Sequence, residues 1–294
     1  MDKWFQKKGK TSLNSDFIGA LWLLGAIFLF QASYSSVKYV SRSLSSVQIA
    51  FLRSTLQGLI LIPVMCRVGW GKMKSTHVKE YFFRLTFGTG NIILAFYAFG
   101  HMNYATANAL IYTRPLFTIV LAAFLLNERA GVRRCLATIA GFAGVFVILN
   151  PDGIGLSAAE LSALGSAVLL ALTYIYIQKL SRTENHAAML MWFAVVCSSY
   201  TCVPALLNWS PVSAGVAGLM VFTAATATGG QYCVIRAYQA GRATVISPLD
   251  YFQIPLSAAI GFLFFGETAS WRFAAGALLI IAANLYILKE KRKD

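Results

Sequence analysis

The chain has 294 residues, of which 57% are hydrophobic and only 12% are charged. Soluble proteins carry about 25% charged residues, so this composition excludes a soluble globular protein and predicts one that crosses a membrane several times. The net charge of +14 does not indicate nucleic-acid binding, because the Lys and Arg residues lie in the tails and in alternate short loops, as membrane topology requires.

Ten apolar segments along the chain are predicted to be transmembrane helices, since each is about 20 residues long and none alternates with a period of two. The first follows a basic tail but is too long for a signal-peptide core, so we expect it to be retained. The predicted spans are residues 17–40, 46–67, 81–102, 105–127, 132–149, 159–180, 187–208, 214–238, 243–265 and 271–288. A turn sequence, Asn150-Pro151-Asp152-Gly153, divides the chain into two units of five spans, residues 1–150 and 151–294.

The positive charges predict the orientation of these spans. With the N-terminus inside, 20 of the 25 Lys and Arg residues fall in inside segments, and three (Lys38, Arg42 and Arg272) fall outside. The other two, Arg53 and Arg114, lie within spans. This asymmetry predicts that both termini are cytoplasmic. It also favours a bacterial inner membrane as the location.

Two stretches of similar pattern lie in the two halves of the chain. Residues 111–128 read IYTRPLFTIVLAAFLLNE, and residues 250–267 read DYFQIPLSAAIGFLFFGE, with starts 139 residues apart. Each has an early Tyr, a Pro-Leu pair, an apolar run and a final Glu. Because five spans is an odd number, a second copy is predicted to be inverted in the membrane. Inverted repeats place a transport site near the midplane, between the copies.

These stretches carry a resemblance to a known family. The segments Phe96–Glu128, Gly141–Pro151 and Ala237–Glu267, in a chain of five plus five spans, resemble the EamA type of ten-helix drug/metabolite transporters. The resemblance implies a central cavity lined by spans one, three, four, six, eight and nine, with spans five and ten peripheral. It also implies a substrate such as an amino acid, a nucleotide-sugar-like compound, a vitamin such as riboflavin, or S-adenosylmethionine. The chain departs from the family pattern in one place, where Ile254 separates Gln253 from Pro255.

Arg114 and Asp250 are the predicted centre of a substrate site. Arg114 lies about 13 Å from the outer end of span four, and Asp250 lies about 10 Å from the inner end of span nine, at 1.5 Å per residue. A charge at such depth needs a partner or a wet cavity. Two arrangements remain open. The two residues pair with each other, or Arg114 binds a substrate carboxylate while Asp250 binds an ammonium or sulfonium group.

Six further polar or aromatic residues are candidates for substrate binding. Interhelix hydrogen bonds and ordinary aromatic packing are the alternative for all of them. The candidates are Tyr97, Asn108, Tyr112, Gln231, Tyr251 and Gln253.

Charged residues near the span ends are assigned other roles. Lys38 is expected to anchor at the membrane interface. Arg53 is either a gate or a structural residue that pairs or snorkels. Glu128 and Glu267 are expected to be structural, each bonding the N–H groups at the start of the following helix.

The sequence therefore predicts an all-α secondary transporter that moves a small amphoteric metabolite by alternating access. No metal cluster, cofactor motif or phosphate-binding loop is visible, and the five Cys residues fit apolar packing. A membrane-embedded enzyme or a scaffold without transport activity is the alternative. The expected partners are a small-molecule substrate and the lipid bilayer, without nucleic acid, and a homodimer is compatible with the sequence.

Overall fold

The computed structural model describes residues 13–75, 77–125, 132–149, 156–180, 184–240, 247–268 and 270–290. These residues form α-helices and short 3₁₀ segments, with no strand among them. In the first half the helices are α1 Leu13–Val40, α2 Ser46–Val68, α3 Val78–His101, α4 Tyr104–Ile111, α5 Arg114–Leu125 and α6 Val132–Leu149. In the second half they are α7 Ala158–Leu180, α8 His186–Leu207, α9 Ala214–Ala240, α10 Gln253–Phe265 and α11 Trp271–Glu290. The 3₁₀ segments are Trp70–Met73 and Ser247–Phe252.

Among the described residues, five helices are long and apolar enough to cross a membrane. Their spanning segments are Phe17–Val40, Ser46–Val68, Val78–His101, Ala158–Ile177 and His186–Leu207. They coincide with predicted spans one, two, three, six and seven. Large apolar side chains on the outside of the bundle are left exposed, such as Leu207 at 77% and Phe264 at 76%. Such side chains suit contact with lipid. The all-helical, multi-pass class is confirmed, while the number ten and the orientation of the termini stay predictions.

Spans four and nine differ from the prediction, which drew each as one continuous α-helix: span four is interrupted, and the described part of span nine changes from 3₁₀ to α-helix. Span four consists of two helices, α4 and α5, separated by Tyr112 and Thr113. Span nine contains the 3₁₀ segment Ser247–Phe252, followed by α10. In both places a proline lies near the start of the second piece, Pro115 in α5 and Pro255 in α10. Proline lacks an N–H and clashes with the preceding turn, so it begins a helix well and interrupts one badly.

The helices pack in pairs that relate the two halves of the chain. The most extensive contacts join α1 to α9, α3 to α7, α2 to α8 and α6 to α11. If the first span of one half corresponds to the first span of the other, α1 corresponds to α7 and α3 to α9. The pair α1 with α9 then corresponds to the pair α7 with α3. The pairs α2 with α8 and α6 with α11 each join two corresponding helices, so each maps onto itself. The packing is therefore what a two-fold relation between the halves requires.

Close approach of two backbones joins α6 and α11 at the side of the bundle. A Cβ atom on Gly144 would lie 2.8 Å from the Gly276 oxygen, and one on Gly276 would lie 2.5 Å from the Gly144 oxygen. Only glycine tolerates such distances, and small residues are the usual means of tight helix contact in membranes. These two helices correspond to spans five and ten, which the family resemblance places at the periphery of the bundle.

Candidate functional site

The break in span four presents Arg114 at the start of a helix. The chain leaves α4 through two tight backbone bonds, from Tyr112 N to Asn108 O at 2.9 Å and from Thr113 N to Leu110 O at 3.1 Å. The next helix, α5, begins at Arg114 itself. The start of a helix carries the positive end of the helix dipole, so this break combines that dipole with a guanidinium group. Such a combination favours an anionic ligand.

The polar start of span nine presents a carboxylate and a phenol. Asp250 and Tyr251 lie in the 3₁₀ segment, which passes directly into α10, and Gln253 is the first residue of α10. Irregular helical backbone near the middle of a bundle is a recurrent feature of transporter sites, because it lines a polar cavity. The two equivalent stretches of the repeat therefore both depart from a regular α-helix at their polar starts.

Arg114 lies among four of the predicted or newly observed site residues. Its Cζ atom is 4.1 Å from the centroid of the Tyr174 ring, which is within cation–π distance. It also interacts electrostatically with Tyr112, Asp250 and Tyr251. We refer to Tyr112, Arg114, Tyr174, Asp250 and Tyr251 as the central cluster. It brings together a cation, an anion and three aromatic rings, the groups that recognise an amphoteric compound with an aromatic or bulky part.

A buried hydrogen-bond network connects the break in span four with the start of α10. The Tyr112 hydroxyl donates to Gln253 Oε1, and Gln31 Nε2 donates to the Gln253 carbonyl oxygen at 3.3 Å. The Tyr104 hydroxyl donates to Gln31 Oε1. Gln31 and Tyr104 have no exposed surface, and Gln253 is only 4% exposed. Because polar groups in a membrane must be satisfied internally, this network fixes the polar starts of spans four and nine relative to α1.

Three predicted binding residues have other partners. Asn108 lies one turn before Tyr112, and its Nδ2 donates to the backbone carbonyl oxygen of Tyr104 at 3.0 Å. Gln231 Oε1 accepts from Gln57 Nε2 at 3.3 Å, between α9 and α2. The Tyr97 ring stacks on His101 with centroids 4.0 Å apart. The contacts of Gln231 and Tyr97 are the interhelix and packing alternatives stated for these residues, whereas the Asn108 bond lies within α4. The binding roles of all three residues stay predictions.

A second set of polar contacts lies at one end of the bundle. Lys38 Nζ forms an ion pair with Glu267 Oε1 and also donates to the Met102 oxygen at 2.8 Å. Glu267 Oε2 accepts from the Tyr104 backbone N–H at 2.7 Å. We refer to Lys38, Met102, Tyr104 and Glu267 as the end cluster. It joins the end of α1 to the end of α10 and to the start of α4.

The role predicted for Lys38 is wrong, and Glu267 keeps its predicted structural role with a different partner. Lys38 does not reach out to an interface, because its side chain is 14% exposed and paired with Glu267. Glu267 does bond a helix N-terminus, but that of α4 in the first half rather than that of the helix following its own. An acidic group is favourable at either N-terminus, so the sequence did not distinguish them. Glu128 lies outside the described residues.

The sequence analysis missed Tyr174, Gln31 and Tyr104. Tyr174 lies on α7, and only folding places its ring beside Arg114. Gln31 gave a usable signal, as the one Asn or Gln side chain within the first span. Among the described side chains, no group of three or more His, Cys, Asp or Glu residues is placed to hold a metal ion.

A family model decides which class of protein this is. The model of the EamA-like transporter family matches the chain twice, over residues 17–150 and 157–289. The chain belongs to the EamA-like transporter family. Each match covers about half of the chain, so the family is built as the same double unit that the repeat indicates.

Individual relatives agree with this assignment over nearly their whole length. The S-adenosylmethionine uptake transporter of Rickettsia prowazekii is 26% identical, with 97% of this chain and 96% of that protein aligned. A riboflavin transporter of Rhizobium johnstonii is 27% identical, with 94% of this chain and 92% of that protein aligned. A solved crystal structure matches with a TM-score of 0.66 at 16% identity, covering 94% of this chain and 98% of that one, which supports the fold alone.

These relatives confirm the predicted functional class. The protein is a membrane transporter of small metabolites rather than an enzyme. The central cluster is accordingly a candidate for substrate binding and not for catalysis.

Proposed function

We propose that the protein is a secondary transporter for a small amphoteric metabolite, such as an amino acid, S-adenosylmethionine or a vitamin, and that the central cluster binds it. The observation that carries the proposal is the convergence of the polar starts of the two equivalent stretches. Span four is interrupted directly before Arg114, and Arg114 interacts electrostatically with Tyr112, Asp250 and Tyr251.

Each group of the central cluster has a chemical role in this proposal. Arg114 offers a planar fork of donors to a carboxylate. Asp250 attracts an ammonium or sulfonium group. The rings of Tyr112, Tyr174 and Tyr251 stack on a flat or cationic part of the substrate. Without substrate, Arg114 and Asp250 attract each other. Binding would replace this attraction with two others, between Arg114 and the substrate carboxylate and between Asp250 and the substrate cation. Asp250 also offers a place for a coupling proton, and exchange without a proton is the alternative.

The end cluster is proposed to close one entrance to the site. Its ion pair joins α1 of the first half to α10 of the second half. In the topology predicted from positive charge, this end faces outside, the termini are cytoplasmic, and ten spans cross a bacterial inner membrane. Alternating access would then require Lys38 to part from Glu267 when the outside opens. The packing of α1 with α9 and of α3 with α7 supports inverted five-span units that rock against each other.

The proposal is tested by transport into proteoliposomes. Labelled amino acids, S-adenosylmethionine, riboflavin and nucleotides would be surveyed for uptake and counterflow with the purified protein. We expect one class to be transported, and we expect Arg114→Ala and Asp250→Ala to abolish its transport. If both variants move that compound at the wild-type rate, the central cluster is not the site. If unlabelled compound inside the vesicles does not accelerate uptake, the mechanism is not exchange by alternating access.

A further inference from the structure

Arg53 is a buried cation whose donors are incompletely used. It lies on α2, and only 5% of its surface is exposed. Nε and Nη1 of its guanidinium are fully buried, and no described residue accepts a hydrogen bond from either. Its Cζ atom lies 5.9 Å from the centroid of the Phe96 ring. Its burial argues against snorkelling to an interface, one of the alternatives that the sequence left open.

No described carboxylate balances the charge of Arg53. The groups that interact with it electrostatically are Tyr34 and Cys197. A phenol and a thiol have ordinary pKa values of about 10 and 8.5, so both are neutral at pH 7 and neither is a counter-ion. A charge inside a membrane costs at least about 2.5 kcal/mol on insertion scales. Ionisable residues inside membranes are therefore expected to be functional, and Arg53 is such a residue.

Arg53 and Arg114 both lie within electrostatic range of the same tyrosine. Tyr34 on α1 interacts electrostatically with both guanidinium groups. The helix bounds place them at similar depth from one end of the bundle. Tyr34 is six residues before the end of α1, and Arg53 is seven after the start of α2, so each is about 10 Å deep. Arg114 is ten residues after the start of α4, or about 15 Å deep.

We propose that Arg53 is a second anion-binding residue of the transport site, and that the substrate therefore carries two acid groups and one basic group, with a net negative charge. This inference rests on the proposed function of the central cluster. Arg114 and Asp250 bind the two ends of the amphoteric part, and Arg53 binds the additional oxyanion, a carboxylate or a phosphate. The two cations and one anion of the site are then matched by the opposite charges of the substrate.

The test compares compounds that differ by one acid group. Uptake would be measured in proteoliposomes for two matched pairs, glutamate with glutamine and O-phosphoserine with serine, and for S-adenosylmethionine and riboflavin. Neither of the last two compounds carries two acid groups. We expect the wild-type protein to prefer the acidic member of at least one pair by about tenfold or more, the value of one good charge-assisted hydrogen bond. The pair that shows the preference distinguishes a carboxylate site from a phosphate site.

The variant Arg53→Gln should remove this preference. Uptake of the acidic compound is expected to fall about tenfold or more, while uptake of its neutral partner stays unchanged. Arg42→Gln is the matched control, because Arg42 is exposed beyond the end of α1. The thermal midpoint of Arg53→Gln without substrate should equal or exceed that of the wild type, since an uncompensated buried charge is removed. A structural arginine would instead give a lower midpoint and an unchanged preference, which would overturn the inference.

Failure of this inference and failure of the proposed function give different results. If the wild type transports glutamine, serine, S-adenosylmethionine or riboflavin without any preference for the acidic compounds, Arg53 is not an anion site and the proposed function stands. If none of the six compounds is transported, both the inference and the proposed substrate class are wrong.

Discussion

The central cluster and the end cluster differ in how their charged groups are held. At the end, Lys38, Glu267, the Met102 carbonyl oxygen and the Tyr104 N–H satisfy one another. In the centre, the Arg114 guanidinium lies against a ring and interacts with one carboxylate, and Arg53 nearby lacks a described counter-ion and has two donors without a described acceptor. Fully paired groups hold helices together, whereas the unused donors of Arg53 are available to a ligand. We infer that the end cluster controls conformation and that the central cluster binds.

The largest effect on the proposed division between the two clusters is expected from a substitution of Arg114. Arg114→Met keeps the length of the side chain but removes the charge and the donors. We expect the affinity for the transported compound to fall about 100-fold, because a hydrogen bond to a charged group contributes about 1.5–3 kcal/mol. The measurement is equilibrium binding in detergent, with Arg42→Met as the control for loss of an exposed arginine. Binding within threefold of the wild type would contradict the assignment.

The end cluster can be broken by removing its carboxylate. Glu267→Ala leaves Lys38 and the Tyr104 N–H without their partner in a mostly buried place, so we expect a loss of about 3 kcal/mol in stability. A double-mutant cycle with Lys38→Met should give a coupling energy of about 1–3 kcal/mol, measured by denaturation in detergent. Additive effects of the two single variants would show that the ion pair does not hold the helices.

The ring beneath Arg114 gives a smaller effect. Tyr174→Leu removes the cation–π contact, and Tyr174→Phe preserves it while removing only the hydroxyl. Since Tyr174 is 46% exposed, we expect the contact to contribute about 1 kcal/mol, or roughly fivefold in affinity. The test is the ratio of substrate affinities of the Leu and Phe variants. Equal affinities would show that the ring fills space and does not position the guanidinium.

The smallest effect is expected from removal of the hydroxyl that joins span four to the start of α10. Tyr112→Phe loses the bond to Gln253, and one neutral hydrogen bond contributes about 1 kcal/mol. We expect a threefold to tenfold decrease in transport rate at this magnitude, measured as initial uptake. Tyr39→Phe, at an exposed position near the end of α1, should leave uptake unchanged. An equal decrease in both variants would indicate a general effect of losing a hydroxyl.

The sequence predicted the overall class well because the bilayer imposes strong rules on it. Apolar length, positive charge in alternate loops and the repeated Tyr, Pro and Glu pattern follow from the membrane and from the duplication. The same pattern located the polar starts of spans four and nine. It did not predict the interruption of span four, because an apolar stretch with one proline is compatible with a kinked helix as well as with an interrupted one.

The pairing of individual polar groups was harder to predict. Lys38 and Glu267 are 229 residues apart, and nothing local distinguishes a lysine that reaches lipid headgroups from one that meets a carboxylate in the other half. Tyr174 joins the site through the packing of α5 against α7. Such contacts depend on how the two halves interdigitate, and one sequence contains no direct record of that arrangement.

Binding without transport is the measurement that tests the central claim most directly. Equilibrium binding and uptake of the transported compound would be measured side by side for the wild type, Arg114→Met and Glu267→Gln. Arg114→Met should lose binding and uptake together. Glu267→Gln should bind within a few-fold of the wild type and transport at a clearly altered rate, because only the contact that closes one end has changed. If Glu267→Gln loses binding as severely as Arg114→Met, or if Arg114→Met binds normally, the division into a binding cluster and a conformational cluster is wrong.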